Sequence, residues 1–351
     1  MTHIDGTDRT VPDLAWRRAW GLVLLLVILA TAAWEFNWRA YGYNSRVVDS
    51  PAFWTIQRKA ATAAEDPVVV VGSSRTLFDI NLDVWERLDG RRPIQLSLEG
   101  TSGLHGLKHL AEDPDFSGTV IVGVTPPLYF TGFAYRGDVF EHFESETPSE
   151  WAGKQLSMPL ERVFAFIEAE NLPLFELIQD IPMPNREGVN PPHMEIRKLS
   201  ESDFSRNTSM WPRVEEDSTY RQGSRDIWVH TLNQMAPPPN APPADPEPFI
   251  EETIAYVAAI RERGGDVVFI RAPSSGPWRE VEAGGFPREK YWDRLMERVD
   301  ARGIHFEDHP ELMGLDLPEW SHLSRASAIR YTEALYPLIQ EALTVHEEVA
   351  P

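Results

Sequence analysis

Four consecutive valines, Val68–Val71, are followed directly by Gly72-Ser73-Ser74, and this segment constrains the fold more than any other. A continuous run of β-branched residues is typical of a central parallel strand that is buried on both faces. Such a strand needs partner strands beside it and helices above and below it. The rest of the chain should therefore contain further short apolar strands separated by helices.

Segments with strand and helix character do alternate along the chain. Besides 68–71, the predicted strands are 94–98, 119–124, 266–271 and 304–307, and the predicted helices are 81–88, 103–111, 249–263, 287–302 and 325–343. This alternation predicts a parallel sheet with right-handed crossovers. We therefore predict an α/β fold with a flavodoxin-like, doubly wound sheet of five parallel strands, in which ligands bind beyond the carboxyl ends of the strands.

The alternation stops between 130 and 248, where proline, glutamate and aromatic residues are frequent. Helices are predicted around 160–169 and 172–179, and a proline-rich loop follows at 236–243. A structureless loop of this length is uncommon inside a compact domain, so we expect a cap or lid insertion. The predicted boundaries are 67–133 and 246–345 for a discontinuous α/β domain and 134–245 for the insertion.

An uncharged run of 16 residues, 19–34, lies near the N-terminus. As a helix it would be roughly 24 Å long, close to the ~30 Å hydrocarbon core of a bilayer. Tryptophans lie at both ends, and Arg17 and Arg18 precede the run, which favours a cytoplasmic N-terminus. The predicted boundaries are 1–18 for a cytoplasmic segment, 19–38 for a transmembrane anchor and 39–66 for a connector with a helix around 52–64.

Two other interpretations of this run stay open. Ala30-Thr31-Ala32 fits the cleavage site of a secretory signal peptide, and a buried soluble helix is the third reading, although the run has no polar face. The anchor accounts for Trp34 and Trp38, which have no purpose in a discarded peptide. The anchor and the signal peptide both place the main domain outside the cytoplasm, in the periplasm or the extracellular space.

Charge and cysteine content exclude several classes of function. Asp and Glu total 54 against 33 Lys and Arg, which gives a formal net charge of −21. Such a surface repels phosphate backbones, so nucleic-acid binding is not expected. The chain has no cysteine, which excludes disulfides, thiolate metal sites and cysteine nucleophiles. The sequence contains no clear metal-ligand cluster and no phosphate-binding glycine loop, so we predict neither a metal nor a cofactor.

Residues that can support chemistry follow the predicted strands. They are Ser73 and Ser74, Gly100, Thr125, Arg271, and the pair Glu319 and His322 before the last helix. The carboxyl ends of parallel strands share one edge of the sheet, so these residues should converge. A serine becomes a nucleophile when a base takes its proton, and a carboxylate holds the ring of that base. Glu319, three residues before His322, is the predicted acid, and Asp316 is its competitor.

The order and spacing of these motifs resemble those of the SGNH, or GDSL-type, hydrolase superfamily. The matching residues are Gly72-Ser73-Ser74, Gly100, Gly123-Val124-Thr125 and Glu319-Trp320-Ser321-His322, within 67–130 and 248–345. The resemblance implies that Ser74 is the nucleophile and His322 the base, and that the oxyanion hole consists of the N–H groups of Ser74 and Gly100 with Thr125 as a third donor. Arg75 and Arg271, beside the pocket, are candidates for holding an anionic sugar or phosphate.

Three positions depart from the pattern of this superfamily. Ser73 replaces an aspartate, and Gly-Ser-Ser looks like the membrane-anchored branch that assists O-acylation of cell-envelope polymers. Thr125 replaces an asparagine, and loss of one oxyanion donor costs roughly 10²–10³ in rate. Glu319 replaces an aspartate, and its extra methylene changes the reach of the carboxylate.

The resemblance implies a membrane-tethered, extracytoplasmic protein that transfers an acyl group, such as acetyl, to or from a cell-envelope or exported polysaccharide or a glycolipid. It also implies a membrane-bound O-acyltransferase as a partner. Two alternatives stay open: a plain esterase that uses water as the acceptor, and a catalytically silent scaffold that binds polysaccharide or a partner protein.

Overall fold

The computed structural model of the protein describes residues 15–168, 198–235 and 243–347. The strands are β1 (Val68–Val71), β2 (Ile94–Gln95), β3 (Thr119–Gly123), β4 (Ser200–Ser202), β5 (Thr208–Met210), β6 (Asp266–Arg271) and β7 (Arg302–His305). The α-helices in this part of the chain are Trp16–Tyr41, Pro51–Ala63, Ser74–Asp79, Leu82–Asp89, Gly103–Ala111, Pro126–Tyr129, Asp138–Ser145, Pro148–Glu161, Pro212–Glu216, Ser218–Met235, Glu247–Glu262, Gly276–Gly285, Arg288–Arg298 and Arg325–Glu347. The predicted helix at 172–179 and most of the proline-rich loop at 236–243 lie outside the described residues.

Five of the strands form one sheet in the order β2-β1-β3-β6-β7, and every neighbouring pair is parallel. This confirms the predicted α/β class and the five-stranded parallel sheet. The register pairs Val71 with Val122 and Gly123 with Ile270, so β1, β3 and β6 end at the same edge. The segments that follow these strands therefore lie side by side.

The two outer strands differ from their predicted extents. β2 is limited to two residues, although the N–H groups of Leu96 and Leu98 still donate to the carbonyls of Val70 (2.8 Å) and Gly72 (2.9 Å). β7 begins two residues before its predicted start and ends at His305. It ends there because the imidazole of His305 accepts a hydrogen bond from the N–H of Glu307 and begins a 3₁₀ turn.

Alternate side chains of the sheet enter two separate apolar clusters. Val69 and Val71 belong to one cluster, and Val68 and Val70 belong to the other. The first cluster includes side chains from the helices Pro51–Ala63, Gly103–Ala111, Glu247–Glu262 and Arg288–Arg298, and the second includes side chains from Leu82–Asp89 and Arg325–Glu347. Both faces of the sheet are therefore covered, which explains why β1 is apolar at every position.

Regular structure continues where the sequence indicated a break. The prediction of a helix at 160–169 is wrong, because the helix is Pro148–Glu161 and only a 3₁₀ turn follows it. Thr147 explains the earlier start: it accepts from the N–H of Glu150, whose carboxylate accepts from the N–H of Thr147, in a capping box. β4 and β5 form a separate antiparallel pair. The division into an α/β domain and an insertion remains a prediction.

The N-terminal helix, Trp16–Tyr41, contains 26 residues and extends past the predicted end of the anchor. Within the described residues it is the one helix long and apolar enough to cross a membrane. Its last turns pack on the rest of the protein, because Trp38 is buried with Tyr43 and Trp211 in an aromatic cluster. Gly42 ends the helix with a φ of 109°, which favours glycine. The apolar helix thus leads directly into the folded domain.

Candidate active site

Three glycines let the loops at the carboxyl edge of the sheet approach one another. A Cβ atom on Gly72 would lie 2.2 Å from Thr76 Oγ1, and a Cβ atom on Gly123 would lie 1.7 Å from the same atom. A Cβ atom on Gly103 would lie 2.7 Å from the carbonyl oxygen of Gly123. The motif glycines Gly72 and Gly123 therefore have a structural role, since they bring the ends of β1 and β3 into contact.

The two adjacent serines lie in different environments. Ser73 is buried, and its Oγ lies 2.7 Å from Thr125 Oγ1 in a hydrogen bond that either hydroxyl can donate. Ser74 is the one partly exposed residue between positions 71 and 80. It is also the first residue of the helix Ser74–Asp79, so its N–H has no acceptor within that helix. The serine that can meet a substrate is therefore Ser74.

The helix that begins at Ser74 is fixed to the segment 321–323. The contacts are Arg75 Nε to Ser321 Oγ (3.4 Å), the Phe78 ring stacked on the His322 ring (centroids 4.2 Å apart, planes at 23°), and the N–H of Leu323 to Asp79 Oδ1 (2.9 Å). Ser74 and Phe78 are four residues apart and share a helix face. The imidazole of His322 consequently lies on the side of the helix that carries Ser74.

Glu319 holds the imidazole of His322. Its Oε1 accepts hydrogen bonds from the backbone N–H (2.7 Å) and from Nδ1 (2.9 Å) of His322. The two residues are 0% and 2% exposed. Because an ionised carboxylate only accepts hydrogen bonds, Nδ1 carries a proton, and Nε2 of the neutral ring is an acceptor. Asp316, the competing acid, is exposed and does not hold the ring.

The surroundings of Glu319 keep its carboxyl group ionised. Burial alone would raise its pKa, but the charge of His322 and the hydrogen bonds from His322 and Trp228 outweigh that effect and lower the pKa. Trp228 Nε1 donates to Oε2, the oxygen that His322 leaves free. Trp228 belongs to the helix Ser218–Met235, so a residue from the predicted insertion contributes to this site.

The turn that carries Glu319 and His322 has a strained backbone. Trp320, between them, has a φ of 74°, which bulky residues rarely adopt. Its carbonyl accepts from the N–H of Ser275 (2.9 Å), and the Arg225 guanidinium lies 5.0 Å from the centroid of its ring. Strain of this kind persists where neighbouring contacts over-determine the backbone, and it is concentrated at functional sites.

The Nε2 atom of His322 is buried and has no hydrogen-bond partner within the described part of the chain. The structure therefore does not contain a hydrogen bond between this atom and Ser74 Oγ. Catalytic hydrogen bonds are often long before the substrate binds. A buried acceptor without a donor among the described residues, next to the helix of a partly exposed serine, is the arrangement expected of a general base.

Gly100 and Thr125, the other predicted oxyanion residues, lie in neighbouring loops. Gly100 has a φ of 56°, and its carbonyl accepts from the N–H of Tyr135 (3.0 Å). A Cβ atom on Gly100 would lie 2.9 Å from Tyr135 Cβ. Both the positive φ and this close contact therefore require glycine. The hydroxyl of Thr125 is engaged with Ser73. An oxyanion hole formed by Ser74, Gly100 and Thr125 remains a prediction.

Arg75 and Arg271, predicted to bind an anionic substrate, are buried and share one carboxylate. Arg75 Nη1 lies 2.5 Å from Glu282 Oε1, and Arg271 Nη2 pairs with Glu282 Oε2. Ser274 Oγ also donates to Oε2 (2.6 Å). Burial would raise the pKa of Glu282, but the two arginines and Ser274 lower it to about 2. Substrate binding by these arginines stays a prediction, and their burial does not favour it.

A third buried carboxyl group, Asp79, lies next to this turn. Burial raises its pKa well above the ordinary value, and the N–H of Leu323 and the charge of Arg75 oppose the shift only in part. Its Oδ2 has no hydrogen-bond partner among the described residues. The raised pKa favours the neutral form of Asp79, and this form does not compete with Glu319 for the positive charge of an imidazolium.

Sequence reasoning missed Phe78, Trp228 and Glu282. Phe78 carries a usable signal, because it lies one helical turn after Ser74 and so on the same face. Trp228 and Glu282 carry no such signal, since each reaches the site from a separate helix. Among the described residues, no group of acidic or histidine side chains has the arrangement of a metal site.

No family model matches the chain, and no curated protein matches its sequence. The function must therefore follow from the geometry of Ser74, His322 and Glu319.

Proposed function

We propose that this chain is a membrane-tethered, extracytoplasmic, SGNH-like protein that transfers an O-acyl group to or from a cell-envelope or exported polysaccharide or a glycolipid. The observation that carries the proposal is the pair of Glu319 and His322. The Glu319 carboxylate holds Nδ1 of His322 at 2.9 Å, and Nε2 of His322 is buried beside the helix of Ser74 with no partner among the described residues. A buried histidine with a purely structural role would normally have both ring nitrogens bonded.

In the proposed reaction, Ser74 Oγ attacks the carbonyl carbon of an acyl ester while His322 Nε2 takes the hydroxyl proton. The N–H groups of Ser74 and Gly100, with Thr125, stabilise the tetrahedral oxyanion. When this intermediate collapses, the ester C–O bond breaks and the imidazolium gives its proton to the leaving alcohol. A sugar hydroxyl or a water molecule then attacks the acyl-serine by the reverse steps and carries the acyl group away. Glu319 maintains one tautomer of the ring throughout.

The doubly wound SGNH-like fold is part of this proposal. It is supported by the strand order β2-β1-β3-β6-β7, in which the chain reverses direction across the sheet between β2 and β3. It is also supported by the helices on both faces, and by the position of Ser74 after β1 and of His322 before the helix Arg325–Glu347. In this interpretation 134–245 is an insertion that supplies Trp228 to the site.

Anchoring by the N-terminal helix is the second structural part of the proposal. The helix is apolar, and its side chains from Leu22 to Leu29 are exposed. Arg17 and Arg18 favour a cytoplasmic N-terminus, which leaves the domain outside the cytoplasm. Because the anchor holds the domain at the membrane, a membrane-associated polysaccharide or glycolipid is the fitting acceptor, and a membrane-bound O-acyltransferase is the fitting donor of the acyl group.

A catalytically silent scaffold that binds polysaccharide or a partner is the alternative. The observation that favours it is the absence of a hydrogen bond between Ser74 Oγ and His322 Nε2 in this structure. The two functions predict different chemistry at one atom. An enzyme has a nucleophilic Ser74 hydroxyl, and a scaffold does not.

Labelling of the full chain by a fluorophosphonate decides between them. We expect covalent labelling of the parent protein, loss of labelling in Ser74→Ala, and labelling retained in Ser73→Ala, which is the matched control one residue away. Ser74→Ala should unfold at the same urea concentration as the parent, because the Ser74 side chain is partly exposed. Equal labelling of Ser74→Ala and the parent protein would overturn the assignment of the nucleophile.

A further inference from the structure

The helix Pro148–Glu161 turns two of its three charged side chains, Lys154 and Glu161, toward the protein. Lys154 Nζ donates to both carboxylate oxygens of Glu161 (2.9 and 3.0 Å) and to the carbonyl of Val48 (3.0 Å). Ser157 Oγ also donates to Glu161 (2.7 Å). Lys154 and Glu161 are only 7% and 2% exposed. The polar face of this helix is therefore its buried face.

The other face of the same helix is apolar and exposed. Leu156, Leu160 and Val163, which we call the apolar patch, are 75%, 51% and 57% exposed. Leu156 and Leu160 are four residues apart and share a helix face, and Val163 follows one turn later. A surface helix of a soluble domain normally has the reverse orientation, with its apolar side chains inside. An adjacent set of exposed apolar side chains marks an interaction surface.

Hydrogen bonds join the apolar patch to the N-terminal helix. Arg39 Nη2 donates to the carbonyl of Val163 (2.9 Å). The carboxylate of Glu35 accepts from the N–H of Ala165 (3.0 and 2.9 Å). Phe36, on the same helix, is 75% exposed. The patch therefore lies beside positions 35–39, where the apolar helix enters the domain.

We propose that the apolar patch lies in the interface of the lipid bilayer and forms a second membrane contact. This inference rests on the anchoring proposed above. The uncharged part of the helix, 19–34, is roughly 24 Å long at 1.5 Å per residue, close to the thickness of the hydrocarbon core. The core then ends at Trp34, and Glu35 and Arg39 lie at the depth of the headgroups. Arg39 binds the carbonyl of Val163 in the patch, and Glu35 binds the N–H of Ala165 beside it. The patch therefore lies at the same depth, where apolar side chains enter the boundary between headgroups and acyl chains.

The second contact also fixes the active site relative to the membrane. Trp38 of the N-terminal helix is in the same aromatic and apolar cluster as Leu77 and Phe78. These two residues belong to the helix that begins at Ser74. With two membrane contacts the domain cannot rotate freely about its anchor, so the height and tilt of the Ser74 helix are set toward a membrane-associated acceptor.

Spin labels at single cysteines test this inference. The chain has no cysteine of its own, so a nitroxide can be placed on Leu156→Cys and, separately, on Leu160→Cys. Leu25→Cys, in the apolar helix, is the lipid control. Leu88→Cys is the water control, because Leu88 is also exposed. The next residue, Asp89, binds Arg91, which also binds Asp66 just before β1. Leu88 therefore lies at the edge of the sheet opposite to the candidate active site. The full chain is reconstituted into phosphatidylcholine and phosphatidylglycerol vesicles.

Collisions of each label with oxygen, which enters lipid, and with a water-soluble nickel chelate are then compared. We expect the oxygen-to-nickel ratios at positions 156 and 160 to shift from the value at 88 toward the value at 25. A lipid-like ratio at 25 with water-like ratios at 156 and 160 would overturn the second contact and leave the anchor intact. Protection of 156 and 160 from both reagents would show that protein covers the patch, which also overturns it. A water-like ratio at 25 would overturn the anchor itself, and the second contact with it.

Discussion

Glu319 and Glu282 are both buried carboxylates with lowered pKa values, yet their partners differ in kind. Glu319 binds a histidine, whose charge can change, and the opposite ring nitrogen of that histidine has no partner in the part of the chain that the structure describes. Glu282 lies between Arg75 and Arg271, whose charges are permanent over the physiological range. His322 can therefore take and return a proton at Nε2 while Glu319 holds its ring. Glu282 and its two arginines have no proton to move. They hold the end of β6 to the helix Ser74–Asp79.

The comparison teaches that burial and a shifted pKa do not by themselves identify a catalytic carboxylate. The distinguishing feature is the partner: a titratable side chain with a free acceptor atom indicates proton transfer, whereas paired guanidinium groups indicate structural support. Substitution of each carboxylate by its amide therefore separates the two roles. The Glu319 variant should lose reaction rate, and the Glu282 variant should lose stability.

Glu319→Gln should have the largest effect, on rate. The amide presents an N–H₂ group as well as an oxygen, so it cannot serve all the donors that converge on Glu319, and it no longer stabilises an imidazolium. We expect the rate of ester cleavage or acyl transfer to fall roughly 10²–10⁴-fold. The measurement is kcat on a soluble acyl ester at constant pH.

The matched control is Asp316→Asn, which removes the competing acid. Since Asp316 is exposed, its substitution should leave kcat near that of the parent. A loss of rate in Asp316→Asn equal to that in Glu319→Gln would contradict the assignment of Glu319. It would not affect the roles of Ser74 and His322.

Glu282→Gln should have the next largest effect, on stability. The substitution leaves two buried guanidinium groups without a counter-charge, which costs about 3–5 kcal/mol of the free energy of unfolding. Glu319→Gln leaves no permanently charged partner behind and should cost less. Urea unfolding of both variants measures the difference, and Glu280→Gln, an exposed position on the same helix, is the control.

The pH dependence of unfolding offers an independent check on Glu282. Its pKa is lowered from 4.5 to about 2 in the folded protein, so its contribution to stability is present above pH 4.5 and is lost as the pH falls from 4.5 toward 2. The stability of Glu282→Gln should lack this part of the acid slope. An unchanged slope between pH 4.5 and 2 would show that the carboxylate does not stabilise the fold through its charge.

The sequence predicts those contacts that are local in the chain or that follow from the order of the strands. It does not predict contacts that depend on how separate helices pack. The β-branched run of β1 identifies a buried strand, and a parallel sheet then requires the residues after its strands to share an edge. This argument predicts that Ser74 and His322 lie close together at that edge, and their catalytic roles stay a prediction. The helix Pro148–Glu161 was misplaced because its apolar residues face outward, against the usual pattern. Trp228 and Glu282 could not be found, because their contacts depend on how separate helices pack.

Trp228→Phe should have the smallest effect of the three and tests whether Trp228 positions Glu319. The substitution keeps an aromatic ring but removes the Nε1 donor to Glu319 Oε2. A hydrogen bond to a charged group contributes about 1.5–3 kcal/mol, and Oε1 stays bound to His322, so we expect a loss of roughly tenfold or less in kcat with KM unchanged.

Trp278→Phe is the matched control, because its ring lies 5.5 Å from that of Trp228 and its own Nε1 has no partner among the described residues. If both variants lose the same rate, or if KM rises while kcat holds, Trp228 acts through packing alone and the site is complete without the helix Ser218–Met235. If only Trp228→Phe loses kcat, the indole N–H completes the set of donors that keeps Glu319 ionised.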